Sequence, residues 1–215
     1  MQLLFPLTCL ICDSVGTHLC AVCYKSIGPR IGQREIDGSK FWSGAEYSEQ
    51  LAKMILLAKE QNSTPARDFL ADLIVQSFTV ATAGIDTTNS IFIPVPSSRS
   101  ANRARGFRHA LLLSRVAGKK IEKLIGAKIE VKELLEVNRK IVDQSKLNKA
   151  DRIRNLSGAY SLKPLKNMTI SDLGDRTIFL VDDLVTTGSS AREGLRALYG
   201  AGFSPRGVLS AGGLP

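Results

Sequence analysis

The sequence predicts an α/β protein, a parallel sheet flanked by helices on both faces, with a small metal-binding segment in front of it. Three observations lead there. Short apolar runs of strand type alternate with longer segments of helical periodicity, the pattern that a parallel sheet with crossover helices produces. All four cysteines fall within the first 23 residues. Near the C-terminus a strand-like run leads through two acids into a stretch of hydroxyl residues around a glycine, and from there into a helix. At 215 residues the chain suffices for one full α/β domain and a small appendage.

The cysteines are arranged as Cys9-Leu-Ile-Cys12 and Cys20-Ala-Val-Cys23. Each Cys-x-x-Cys turn aims two thiolates at one point, and two such turns complete the four ligands of a tetrahedral zinc ion. A pair of disulfides or a redox dithiol is the alternative. The apolar start, Met1 to Leu7, has neither a basic leader nor a small-residue cleavage site, so a reducing, cytoplasmic setting is expected, which disfavours disulfides. No strand precedes either motif as a redox site would require. His18 lies in the intervening loop and is read as a surface residue. Structural zinc would stabilise a segment of roughly thirty residues that is too small to bury a core of its own.

Residues 28–39 mix Gly, Pro and charge without period and read as a linker or a ragged edge strand. This puts a boundary near residue 40, with a zinc segment and linker over 1–40 and the main domain over 41–215. From Glu46 to Glu60 the apolar positions Leu51, Met54, Ile55, Leu57 and Ala58 have helical spacing, with Ser48 as cap. A second helix begins at Pro65 and ends at Gly84, burying Phe69, Leu70, Leu73, Ile74 and Phe78. Ile91 to Pro96 is a buried strand running into a loop. The segment after it is basic, with Arg99, Arg103, Arg105 and Arg108, and is read as a loop. A helix follows from about Phe107 to Ile125, then one strand within 128–137. The polar stretch from Arg139 to Arg154 is read as a charged connection. Arg176 to Val181 forms a central strand, Thr187 to Gly200 a helix, and Arg206 to Ala211 a last strand.

With 44% hydrophobic and 23% charged residues the composition is that of an ordinary folded protein. No stretch approaches the ~20 apolar residues of a membrane span, so no membrane insertion is expected. The net charge of +9 favours polyanionic partners, either phosphorylated small molecules or nucleic acid.

The candidate site is Asp182-Asp183-Leu-Val-Thr186-Thr187-Gly188-Ser189-Ser190. Backbone N–H groups at a helix start, small hydroxyls and an unhindered glycine make a pocket for a phosphate dianion. Two carboxylates at the carboxyl edge of a strand can accept hydrogen bonds from neighbouring ribose hydroxyls. A strand end and a helix cap need fewer such residues. The run lacks the Gly-x-x-x-x-Gly-Lys of nucleotide-hydrolysing loops and the Gly-x-Gly-x-x-Gly of dinucleotide sites.

This run resembles the phosphoribosyl-diphosphate loop of type I phosphoribosyltransferases. Taken with Cys9 to Cys23, Lys59, Pro94-Val-Pro96, Arg105-Gly-Phe107, Arg139 through Gln144, and Leu147 to Leu156, the whole chain resembles the ComF family, which joins a four-cysteine zinc segment to such a domain and is associated with natural transformation. The resemblance implies that Asp182 and Asp183 hold the ribose 2′ and 3′ hydroxyls and that Thr186, Thr187, Gly188, Ser189 and Ser190 hold the 5′-phosphate. It implies that Mg²⁺ accompanies the diphosphate, and that Arg105 and Arg139 serve the leaving group, Arg139 from a loop that closes over the site. The chain departs from many relatives at Ile141, in place of Thr, and at Arg108-His109, in place of Asn-Gln. His109 is read as a helix-surface residue in preference to a catalytic base. The alternative function is a non-catalytic single-stranded DNA-binding competence protein, acting with other competence proteins. Few stacking aromatics support it, and Trp42 and Tyr47, the candidates, are read as core.

Overall fold

The computed structural model describes residues 6–138, 158–164 and 176–214. The centre of the fold is strand β7 (Thr177–Val185), whose first residues are apolar on both faces as a doubly covered parallel strand requires. It pairs in parallel with β3 (Ser90–Pro94) on one side and β8 (Gly207–Gly213) on the other. Beyond β3 lies β4 (Glu130–Val131), and beyond β8 lie β2 (Ser39–Glu46) and then β1 (Gly32–Ile36). All these pairings are parallel except β1–β2. The sheet is therefore mixed, a correction to the wholly parallel expectation. Its antiparallel edge is the segment between 28 and 39, which forms a strand and hairpins across position 40 into β2.

Alternation along β7 divides the core. Phe179 and Val181 point to one face, where they meet α2 (Glu49–Glu60), α3 (Thr64–Ala81) and α5 (His109–Ile125). Phe78, Phe92, Phe179 and Trp42 pack edge to face there, with centroids 5.6–6.3 Å apart. Ile178 and Leu180 point to the other face, against α6 (Ser189–Gly200) and a two-stranded hood of β5 (Leu135–Val137) and β6 (Tyr160–Leu162). Buried Glu193 of α6 accepts the Tyr160 N–H at 3.0 Å and so ties the hood to the helix.

The helices start where capping chemistry allows. Ser48, Ser63 and Ser98 each accept an N–H of the following first turn. The last of these opens a short helix, α4 (Arg99–Arg105), closed by Gly106 in the left-handed region. The basic segment after Pro96, read from the sequence as a loop, is thus helical, started by the Ser98 cap and carried by the helix-forming Arg and Ala residues. Residues 128–137 form two strands in different sheets, separated by a turn at Lys132–Leu134. Trp42 is buried in β2, as expected, whereas Tyr47 is exposed. The remaining short helix, α1 (Ala21–Ile27), carries the last cysteine.

Among the described residues no helix is long and apolar enough to cross a membrane. The tightest approach between layers is at Gly44 in β2, where a Cβ would lie 2.1 Å from the Leu73 carbonyl oxygen of α3. Both elements are backbone-rigid there, so Gly44→Ala should lower stability by about 2–3 kcal/mol. An unchanged denaturant midpoint would show that β2 and α3 are not packed this closely.

Candidate functional site

Two clusters of functional side chains stand out. The first is the cysteine cluster. One ligand atom from each of Cys9, Cys12, Cys20 and Cys23 lies within 4.8 Å of the others. The Cys12 and Cys20 sulfurs are 3.7 Å apart, close to the edge of about 3.8 Å that Zn–S bonds of 2.3 Å give a tetrahedron. All four are free thiols, and that spacing is far beyond a disulfide. The Cys20 N–H reaches Cys9 Sγ, and the Cys23 N–H reaches Cys20 Sγ, each at 3.5 Å. Burial pushes the Cys9 thiol up, but backbone hydrogen bonds from Cys20, Cys12 and Ile11 outweigh it and bring the group down to about 6. Burial instead pushes Cys23 up to about 12. His18 is exposed, as expected.

The second cluster lies at the carboxyl edge of the sheet. After β3 the chain turns outward to β4, whereas β7 lies on the other side of β3. The chain therefore leaves the carboxyl ends of the paired strands β3 and β7 in opposite directions, toward β4 and toward β8, the position at which open α/β sheets form a crevice. It is a cleft of 860 Å³, lined by Pro96 after β3, Lys59 and Glu60 of α2, Arg105 of α4, His109 of α5, Tyr160 of the hood, and residues 182–191. The volume suits a drug-sized ligand.

Strand β7 does not end at the two acids. It continues to Val185, because Leu184 and Val185 pair with Gly212 and Gly213. Asp182 and Asp183 therefore sit in rigid strand. The turn that follows puts Gly188 at φ 73, a conformation only glycine adopts without strain, at the N-cap of α6. The Gly188 N-cap offers no side-chain oxygen, the first turn holds no acid, and the Ser189 N–H donates to Thr187 Oγ1 at 3.4 Å. The amide groups beyond Ser189 have no side-chain acceptor among the described residues, and the dipole there favours an anion. Thr187 and Ser189 hydroxyls are 2.8 Å apart at the entrance. Arg34 of β1 donates to the Val185 and Thr186 carbonyls at 2.8 and 2.9 Å, and Arg192 to the Thr187 carbonyl at 3.3 Å. Both arginines brace the turn from behind, and nothing in the local sequence marked them.

The acids differ in environment. Asp182 is half-buried and its Oδ1 accepts the Asp183 N–H at 2.9 Å. Burial pushes its carboxyl well above the usual range, and the adjacent Asp183 charge adds to this. Asp183 is 6% exposed. Burial pushes it up as well, but the Lys59 ammonium and the His109 imidazole reverse the outcome and hold it well below the carboxylate range. Lys59 Nζ lies 3.2 Å and His109 Nε2 3.3 Å from Asp183 Oδ2. The Asp183 charge in turn raises Lys59 against its own burial. Two like charges side by side separate the pH ranges in which the two carboxyls ionise, Asp183 losing its proton first.

His109 is thus not a surface residue. It is 2% exposed, because its position at the start of α5 faces the sheet. Arg105 is brought to the cleft but is engaged by Glu60, at 2.9 Å from NH2 and 3.0–3.1 Å from Nε. Arg139 and Ile141 lie outside the described residues. Compared with known protein families and with curated proteins, the chain has no match.

The two acids should respond oppositely to neutralisation. The lowered Asp183 contributes stability above the unfolded value of about 3.9, which is lost as pH falls toward its folded value. The raised Asp182 does the reverse, costing stability as pH rises above about 3.9. At pH 7 Asp183→Asn is expected to destabilise by roughly 1–2 kcal/mol, discounted because Lys59 is one-third exposed, and Asp182→Asn to stabilise by about 1 kcal/mol. The Asp182 difference should fade as pH falls toward about 3.9, and the Asp183 difference only as pH falls below it. Equal destabilisation by the two at pH 7 would contradict this electrostatic asymmetry.

Proposed function

We propose that the cleft binds phosphoribosyl diphosphate with Mg²⁺, that the chain is a type I phosphoribosyltransferase-like protein of the ComF kind, and that it transfers the phosphoribosyl group to a nucleophile in the context of DNA uptake. One observation carries this reading: two acids on a rigid strand and an acid-free helix start whose N-cap is a glycine occupy a single cleft with Lys59 and Arg105. A carboxylate pair suits a vicinal diol, the turn at 186–190 suits a phosphate, and the cations suit a second anionic group.

The chemistry follows from those parts. The bond from the anomeric carbon to the diphosphate oxygen breaks, taking its electron pair with the leaving group, and a bond to the nucleophile forms. The sugar passes through an oxocarbenium-like state, so no protein nucleophile is needed. Lys59 and Arg105 neutralise the leaving group, while Asp182 and Asp183 orient the ring. Mg²⁺, bound through diphosphate oxygens, supplies further charge neutralisation when present. For Arg105 to serve, it has to exchange the Glu60 carboxylate for ligand oxygens. Arg139 would join from its own segment, as the resemblance implies.

The cysteine cluster is assigned to structural zinc, because its donor set is all thiolate and a closed four-ligand shell leaves no position for a substrate. A reducing, cytoplasmic setting, which would keep these thiolates available to the metal, goes with that assignment. The single-stranded DNA reading has less support, since Arg99, Arg105 and Arg108 face Glu136, Glu60 and Glu133 respectively.

Phosphoribosyl diphosphate with Mg²⁺ should raise the melting temperature of the wild-type protein at millimolar ligand, and not that of the Asp182→Asn/Asp183→Asn double variant. Absence of a shift in the wild type would overturn the assignment. Glu60→Gln, which frees Arg105, is expected to tighten inorganic diphosphate binding by about threefold in calorimetric titration. Weaker binding would mean that Glu60 positions Arg105 and does not compete for it. For the cluster, elemental analysis should find one zinc per chain, lost on Cys12→Ser substitution together with several degrees of melting temperature.

A further inference from the structure

The buried histidine at the start of α5 has no place in the chemistry above, and its surroundings are unusual. Both imidazole nitrogens are shielded from solvent and neither has a hydrogen-bond partner among the described residues. Asp183 Oδ2 is likewise buried and without a hydrogen-bond partner. The two face each other at 3.3 Å, with Lys59 completing the group at 3.2 Å from the same oxygen. Orphaned polar groups are rare in folded proteins, and here a buried imidazole nitrogen and a buried carboxylate oxygen face each other beside Lys59 in the wall of a ligand-sized cleft, which marks a place where orientation is being controlled.

A general base has to reach the proton it takes, within hydrogen-bond distance or through one water. The buried nitrogens of His109 do not offer this: the residue lines the cleft, but its Nε2 faces Asp183 Oδ2, so its effect on a ligand passes through that acid.

We propose that His109 is a positioning residue: with its Nε2 against Asp183 Oδ2, it turns Oδ2 toward itself and Lys59, which leaves Oδ1 as the oxygen that accepts a sugar hydroxyl. The inference rests on the proposed ribose-phosphate reading for the identity of that hydroxyl. Its core, the orientation of Asp183 by His109, is independent of any ligand. The charged groups around the pair are Lys59 and Glu60 from α2, Arg105 from α4 and Asp182 from β7. Among them only Lys59 shares the Asp183 oxygen with the histidine. Gln at position 109 can also donate from a similar place, whereas Leu fills the volume and donates nothing.

The test combines titration calorimetry with crystallography on the full chain. Phosphoribosyl diphosphate with Mg²⁺, ribose 5-phosphate and inorganic phosphate are titrated into the wild type, His109→Leu, His109→Gln, Asp183→Asn and the His109→Leu/Asp183→Asn double variant. His109→Leu should weaken both sugar ligands about tenfold, consistent with loss of one well-oriented hydrogen bond to a charged group. His109→Gln should restore them to within about threefold of wild type, and inorganic phosphate should bind equally to all. In the Asp183→Asn background the leucine substitution should add no further loss, as expected of residues that act as one unit. Crystal structures should show the Asp183 carboxylate turned in His109→Leu and unturned in His109→Gln.

A folded His109→Leu protein that keeps both the Asp183 orientation and wild-type sugar affinity overturns this inference and leaves the functional reading standing. A wild type that binds neither sugar ligand, with Asp183 still turned in His109→Leu, overturns the functional reading and leaves the positioning role standing. Should the leucine variant fail to fold, His109→Gln decides alone: loss of sugar affinity with a turned Asp183 overturns the equivalence of donors on which the inference depends.

Discussion

The arrangement of the cleft depends on keeping one carboxylate ionised where burial would neutralise it. Asp183 sits on the central strand, shielded from water, and a lone charge there would be expensive enough to take up a proton. Lys59 and His109 prevent this, and they arrive from different helices on the same side of the sheet. The packing of α2 and α5 on β7 is thereby linked to the electrostatics of the site. Leu51, Met54 and Ile55 bury the face of α2 that sets the height of Lys59, while Leu113, Ala117 and Ile121 do the same for α5 and His109. Loss of that packing would move Lys59 and His109 away from Asp183 and change the electrostatics of the acid pair.

A second constraint comes from the opposite edge of the sheet. Strand β1 contributes little to the core, but its Arg34 holds the carbonyls of the turn that follows β7. Asp37, in the turn after β1, pairs with Arg192 at 3.0 Å, and Arg192 also braces that turn. The hairpin of β1 and β2 thus belongs mechanically to the turn between β7 and α6. This is why the helix start can do without an N-cap side chain: its geometry is enforced from behind by two arginines and by Gly188.

The elements most legible in the sequence were those set by local rules. Apolar periodicity located α2, α3 and α5, Ser48 announced its helix, and the Asp-Asp to Ser-Ser run stood out without any structural knowledge. The two Cys-x-x-Cys turns do converge, as their spacing implied. What escaped was non-local. His109 looked like a surface residue because a single histidine at a helix start has no pattern of its own; only the packing of α5 turns it toward β7. Strand β7 was cut short at Val181 because polar residues seemed to end it, whereas pairing with β8 carries it to Val185. The pairing of Arg105 with Glu60 and the bracing by Arg34 join residues distant in sequence, and no window of sequence contains both partners.

The most direct measurement of the central claim is a crystal structure of the protein grown with phosphoribosyl diphosphate and Mg²⁺. The account requires the sugar hydroxyls on Asp182 and Asp183, the 5′-phosphate on the backbone amides of 187–190, and the diphosphate beside Lys59 and Arg105. Ligand density elsewhere on the surface, with this cleft empty and the Asp183, Lys59 and His109 contacts undisturbed, would contradict it.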